Sequence, residues 1–401
     1  MTPVAADTGS RREYDVLIAG AGLVGLALAP ALAEQGLRVA LADRMPVAMP
    51  AVPGGGAEWD ARVYAISPGS AAFLRSVGAW QALPPDRIGP IEAMRVAGDG
   101  GAALSFSAYD LGERALAWIV EERALRAALV SCARIASVDT HAPRCFAALT
   151  WSADSGTLHF DDGTSVTARL VVAADGLNSW VRGAAGIVAA IKPYGQTAVV
   201  ANFACERAHQ GCARQWFLAD GGILAWLPLP GRRISIVWSA PATLAAELLA
   251  QDAVALAARV AAAGQHALGA LENITPPAGF PLAFMRLPAT IAHRLALVGD
   301  AAHGIHPLAG QGVNLGFGDA EALTAVLRER GPVADAGAPA LLERYARRRV
   351  EPVRAMQTVT DGLVHLFGVA DPLRKAVRNL GMSAVDRLPL ARRLLAQSAL
   401  H

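Results

Sequence analysis

YDVLIAGAGLVGLALAPALAEQGLRVALADR, residues 14–44, decides the fold. DVLIAG is an apolar run of strand length, VALAD is a second, and between them Gly20-x-Gly22-x-x-Gly25 leads into an apolar stretch of helical length. Each glycine has its own duty in such a strand–turn–helix. The first makes the tight turn, the second lets a pyrophosphate approach the backbone, and the third brings helix against strand. The helix start aims unpaired N–H groups at that phosphate. Asp43, with Arg44 beside it, ends the second strand eighteen residues after Gly25, where a carboxylate accepts hydrogen bonds from an adenosine ribose. A lone glycine fingerprint is weak; one framed by two strands with the acid in place predicts a dinucleotide site in a Rossmann-like α/β domain.

Two further stretches repeat the theme of an acid and a glycine turn at a strand end. RLALVGDAAHGIHPLAGQGVNLGFGDA, residues 294–320, places Gly299 and Asp300 after the apolar run LALV. A loop with Pro307 follows, and Gly310-Gln311-Gly312 then opens a run of helical periodicity from Val313 to Arg330. Its free N–H groups and partial positive charge face whatever precedes it. His303 and His306 are candidate bases in this stretch, but a structural turn is the better reading for both. ADGLNSWVR, residues 174–182, ends the apolar LVVAAD and contains Asp175, Gly176, Ser179 and Arg182.

Composition narrows the function classes. At 401 residues and 53% hydrophobic, the chain can bury a large core in two or more lobes. A net charge of +2, without aromatic–basic interleaving, gives no argument for nucleic acid. Cys132, Cys145, Cys205 and Cys212 form no CxxC pair, so no metal site is expected and a reducing compartment suits them. Residues 1–13 lack the apolar core of a signal peptide and read as a disordered tail. Residues 18–33 are too short and too rich in glycine to span a bilayer. The expected location is cytoplasmic, with peripheral membrane contact left open.

Between the motifs, Met45 to Trp59 is a Pro- and Gly-rich loop, and Arg62 precedes a helix expected over 68–77. Residues 91–106 suggest strands around the Gly98–Gly101 turn, and IVEERALRAAL (119–129) a helix with Arg123 near its start. From 192 to about 281 short alternating runs carry Trp216, Trp226 and Trp238, as expected of an antiparallel sheet with one apolar face, a natural roof for an aromatic ligand. Residues 341–398 are expected to be helical, with Arg344, Arg347, Arg348, Arg349 and Arg354 near the start; Glu343, Arg347 and Glu351 can pair on one face.

Together the GxGxxG unit ending at Asp43, ADGLNSWVR, and VGDAAHGIHPLAGQGVNLGFGD resemble the aromatic-ring flavoprotein monooxygenases of the para-hydroxybenzoate hydroxylase type. The form HPLAGQGxNxGxxD is most similar to the hydroxylases of ubiquinone biosynthesis. The resemblance implies a FAD-binding domain of the glutathione reductase type, discontinuous over 14–190 and 282–340. It further implies an inserted antiparallel substrate-binding sheet at 191–281 and a helical C-terminal segment at 341–401.

The resemblance also implies roles. Gly20, Gly22 and Gly25 would meet the FAD pyrophosphate; Asp43 and Arg44 the adenosine side; Arg62 the phosphate region; Gly299 and Asp300 the pyrophosphate–ribityl part. Gly310, Gly312 and Asn314 would lie beneath the flavin ring, with amides from Gln311 to Val313 stabilising charge on it. Arg123 would be a flavin-side contact, and Asp175 and Arg182 would be shared between FAD and a transient NADH or NADPH. Pro307, Leu308 and Trp226 would face the substrate. The implied reaction is hydroxylation of an aromatic ring with O2 through a C4a-hydroperoxyflavin, the implied substrate being a polyprenylated phenol of ubiquinone biosynthesis. Complex subunits of that pathway and an anionic membrane surface are candidate partners. Three alternatives stay open: a hydroxylase of a small soluble aromatic, a flavin reductase of isoprenoid double bonds, and a non-catalytic flavoprotein subunit.

Overall fold

The computed structural model of the chain describes residues 13–50, 58–98, 103–306, 310–331 and 335–367. Pro307, Leu308 and the C-terminal segment beyond 367 lie outside these, as do residues 1–12 of the expected tail; Glu13 already pairs with Thr167 in the first strand.

Strand Glu13–Ala19 is central to a sheet ordered Ile291–Ala292, Leu295–Leu297, Ser165–Ala173, Glu13–Ala19, Val39–Ala42 and Asp139–His141. Four of its pairings are parallel, with Ile18 opposite both Leu41 and Val172. Parallel strands are covered on both faces, which is why these runs are apolar throughout instead of alternating. Helix Leu23–Ala33 is apolar all round for the same reason: it lies between the sheet and helices Glu122–Ile135 and Gly312–Arg328, and Leu26, Leu28 and Leu32 are fully buried. Each such leucine contributes roughly 1.5–3 kcal/mol by leaving water.

The strand order brings the three motifs to one edge. Gly20 follows strand Glu13–Ala19, Ala174 follows Ser165–Ala173, and Gly299 lies just past Leu295–Leu297, all on neighbouring parallel strands. Backbone bonds join these ends: Ala174 N–H donates to Ala19 O at 2.7 Å and Gly20 N–H to Ala42 O at 2.7 Å. Ligands of open α/β sheets bind at this carboxyl edge.

A second sheet runs Leu271–Asn273, Ala190–Cys205, Arg233–Pro241, Ile223–Leu229, Cys212–Phe217, Ala93–Ala97 and Ala103–Ser107, and Ala278–Arg286 also pairs with Ala190–Cys205. It departs from the expected antiparallel insert in two ways. Its last two strands come from well before residue 191, and Cys212–Phe217 pairs with Ala93–Ala97 in parallel. Helices Ala242–Ala250 and Ala253–Ala263 belong to the core on one face of this sheet. The stretch IVEERALRAAL divides as well: Ala117–Glu121 is a strand, and the helix begins at Glu122.

The C-terminal helix Pro339–Phe367 packs on helix Gly312–Arg328. Its arginine cluster is largely held inside the protein's own charge pairs. Arg344 and Arg348 reach Glu329 at 3.0 and 2.9 Å, Arg349 reaches Asp319 at 2.6 Å, and Arg347 lies 3.7 Å from Glu343. Among the described residues Glu351 forms no ion pair, so only half of the expected i, i+4 ladder exists. No helix among the described residues is long and apolar enough to cross a membrane.

Candidate active site

The carboxyl edge of the first sheet opens into a cavity of about 600 Å³ that continues over the free face of the second sheet. One wall is mostly backbone: Gly22, Ala174, Gly176, Val298, Gly299, Gly310, Gln311, Gly312 and Val313 line it. The other is side chain. Side chains along these strands alternate between the two faces of the sheet, and Ala213, Ala225, Leu227, Val237 and Val200 line the cavity while Trp216, Leu224, Trp226 and Trp238 join the core beneath the two helices.

The glycines divide their duties as the local chemistry requires. A Cβ at Gly20 would meet Ala174 O at 2.3 Å, and Gly20 has a φ of +112°, so only glycine suits this turn. A Cβ at Gly25 would meet Gly20 O at 2.0 Å, so the helix packs onto the turn itself. Nothing lies within 4 Å of a Cβ at Gly22, which faces the open cavity. Gly22 caps helix Leu23–Ala33 without a side-chain bond, leaving the first N–H groups unclaimed by any cap. The second helix start matches it. Gln311 caps helix Gly312–Arg328 with no side-chain bond, and Leu315 N–H makes the first intrahelical bond, to Gln311 O at 3.0 Å. The N–H groups of Gly312 and Val313 come before it, and both residues line the cavity.

Behind the amides lies a buried polar hub. Asp319 accepts from Gly299 N–H at 2.8 Å and from Arg349 Nε at 2.6 Å, and its Oδ2 lies 2.6 Å from His303 Nε2. Burial works against its charge, but His303 and Arg349 outweigh that and hold the carboxyl below its usual range. Asp300 is oriented differently: it lines the cavity and keeps solvent contact there, with protein on its other sides. That desolvation pushes its carboxyl up, against the opposing charges of His303 and Arg62.

Comparison with known proteins identifies what this cradle holds. The family described as FAD binding domain matches residues 13–360. The chain belongs to this FAD-binding family. It is 40% identical to ubiquinone hydroxylase UbiL of Rhodospirillum rubrum over 98% of this chain and 91% of that protein. It is 34% identical to 3-demethoxyubiquinol 3-hydroxylase of Escherichia coli over 98% and 99%. Among solved structures, Pseudomonas aeruginosa PqsL in complex with 2-aminobenzoylacetate superposes with a TM-score of 0.76 at 25% identity, covering 93% of this chain and all of that one. The chain is thus a flavoprotein of the FAD-dependent monooxygenase kind, and the open space at Gly22 beside a free helix start fits the cofactor's pyrophosphate.

The structure sorts the residues expected to serve FAD. Gly22, Arg62, Gly299, Asp300, Gly310, Gln311, Gly312 and Val313 all line the cavity. Arg62 lies 3.2 Å from Glu122 and packs against the rings of Tyr64 and Phe280. Asp43 stands beside the glycine turn, accepting from Ala21 N–H at 2.5 Å and Met45 N–H at 2.7 Å, with lone pairs to spare for a ribose. Arg44 is exposed at the same strand end.

Four of the expected residues have side-chain partners inside the protein, and a fifth, Trp226, packs in the core of the second sheet. Asn314 is buried and stitches helix to strand, accepting from Ser67 N–H at 3.0 Å and donating to Ala65 O at 2.8 Å. Arg182 is buried and donates to Ala301 O at 2.9 Å and Leu177 O at 2.8 Å, so it ties two motif turns together. Asp175 accepts from Ser179 Oγ and Val181 N–H at the start of helix Trp180–Ala184, whose cap is Ser179, and does not line the cavity. Arg123 lies 3.6 Å from Asp60 and holds the loop that leads to Arg62. Trp226 is 1% exposed in the core on the far face of the sheet, so it packs that core and does not meet substrate. Pro307 and Leu308 lie outside the described residues.

Sequence reading passed over two residues. Arg126 donates to Ala21 O at 2.8 Å inside the glycine fingerprint; its signal was the spacing of one helical turn from Arg123. Asp319 was visible as the last acid of the motif, but only the fold reveals that His303, Gly299 and Arg349 converge on it.

Proposed function

We propose that this chain hydroxylates the ring of a neutral polyprenylated phenol, using FAD, O2 and NADH or NADPH, in the biosynthesis of ubiquinone. The observation that carries the reading is the single cavity, in which a FAD cradle with free helix-start amides faces an apolar sheet wall. When bound, FAD supplies the redox chemistry and the activation of O2. The protein's own contributions follow from its residues. Gly22 and the helix behind it receive the pyrophosphate, Asp300 the adjoining polar chain, and Asp43 the ribose. The N–H groups of Gly312 and Val313 stabilise negative charge on the flavin side, where a preorganised donor in a dry site is worth about 3 kcal/mol. The sheet wall excludes water and holds the substrate ring.

The reading of an apolar ring substrate rests on the lining. Ala198, Val200, Ala213, Ala225, Leu227 and Val237 make the sheet wall mostly apolar, with Arg214 also at the cavity. The ubiquinone assignment is supported by likeness to a ubiquinone hydroxylase and a demethoxyubiquinol hydroxylase over nearly the whole chain. Peripheral contact with the membrane and docking to other enzymes of the pathway belong to the same proposal. Mass spectrometry of quinone intermediates in a deletion strain tests it. Accumulation of a precursor one hydroxylation short, reversed by the intact gene, is expected; an unchanged quinone profile contradicts the ubiquinone part.

A further inference from the structure

The apolar sheet wall contains one amide. Gln215, on strand Cys212–Phe217, lines the cavity, is 7% exposed, and has no hydrogen-bond partner among the described residues. Its near neighbours across the sheet are small or apolar: Ala225 stands opposite it, then Val237, then Val200. Cross-strand partners on one face are about 5 Å apart, so these residues form a smooth floor beside the amide, wide enough for a flat ring. The amide opens onto the cavity, where a polar group of a bound ring can complete its hydrogen bonds. Ser235 and Ser239 also line this wall, and the Ser235 Oγ is buried and unpartnered, but a hydroxyl presents one donor where the amide presents two donors and a carbonyl.

We propose that Gln215 binds the oxygen substituent of the substrate ring and thereby sets which ring edge faces the flavin. This rests on the hydroxylase reading above and adds a specificity-determining residue to it. The amide carbonyl accepts from a phenol O–H, and the amide N–H2 donates to a phenol or methoxy oxygen. Such a pair suits a neutral, oxygenated ring. A site built to bond a hydroxyl discriminates strongly against an analogue that lacks it, because the amide is then left unpaired.

The experiment measures binding to the FAD-loaded protein through perturbation of the flavin spectrum, with 2-prenylphenol and 2-prenyltoluene as probes matched in shape. The wild type is expected to bind the phenol about tenfold more tightly. Gln215→Leu should bind the two probes within about threefold of each other, with FAD content unchanged; Gln215→Met, nearest in shape, gives the same readout if the leucine variant folds poorly. A wild type without preference, or a FAD-loaded variant that keeps the tenfold preference, overturns the proposal. If the wild-type flavin responds to the phenol neither in its spectrum nor by faster NAD(P)H oxidation, the hydroxylase reading itself falls and takes this role with it.

Discussion

The two walls of the cavity are specified in different ways. The cofactor wall is made by backbone, in short contiguous motifs at the ends of Glu13–Ala19, Ser165–Ala173 and Leu295–Leu297. The substrate wall is made by side chains, one in two along strands that lie far apart in the sequence and include Ala93–Ala97 and Ala103–Ser107. Backbone shape is demanded locally, since only glycine fits Gly20 and Gly25. Facing is a matter of register, and a shift of one residue turns every side chain to the opposite side.

The largest effect should come from the cofactor wall. Gly25→Val would place its Cβ 2.0 Å from Gly20 O, and loss of folded, yellow protein is expected in an expression and absorbance assay. Gly22→Ala separates fold from cofactor at the same turn. With nothing within 4 Å of its Cβ, it should melt near the wild-type temperature as apoprotein yet bind FAD at least about tenfold more weakly, read by flavin fluorescence. Unchanged FAD affinity would remove Gly22 from the site.

The substrate wall gives a contrast between neighbours. Trp226→Ala should cost about 3–5 kcal/mol in denaturant unfolding, as expected for a large buried side chain, with the KM for a prenylated phenol within about threefold of wild type. Ala225→Leu, one residue away and facing the cavity, should leave stability within about 1.5 kcal/mol and raise that KM about tenfold. Exchange of these two outcomes would reverse the assignment of the sheet's faces.

A smaller effect lies where the walls meet. His306 is fully buried, its Nε2 3.0 Å from Gln196 Oε1, and burial lowers its pKa from 6.5 to about 4, partly opposed by Asp361. Unfolded chains therefore take up a proton at this residue before the folded protein does. The stability is complete above pH 6.5 and is lost as pH falls toward 4, by about 3 kcal/mol in all. Denaturant midpoints across that range should show the loss, and His306→Gln should flatten it. An equally steep fall in the variant would assign the effect elsewhere.

The same contrast explains what the sequence made legible. The glycine fingerprint, Asp43 and the helix start at Gly312 could be read because turns and helix starts impose residue types on their own few positions. Asn314, Arg182 and Arg123 could be singled out from the sequence, but their side-chain partners inside the protein could not. Buried polar groups must satisfy one another, and the partners chosen here, Ser67 and Ala65, Ala301 and Leu177, Asp60, lie elsewhere in the chain. Trp226 was a bulky aromatic in a strand of the right sheet, and its alternation could not say which face was core. Gln215, inconspicuous in RQWFLAD, gained meaning only when its face was known.

One shared cavity makes the FAD cradle and the apolar wall act together on one ring. The most direct test gives the purified FAD-loaded protein NAD(P)H, isotopically labelled molecular oxygen and 2-prenylphenol. One labelled oxygen atom in the product ring, formed in step with NAD(P)H oxidation, is the predicted result. Release of hydrogen peroxide alone, or a reduced product without label, would contradict it.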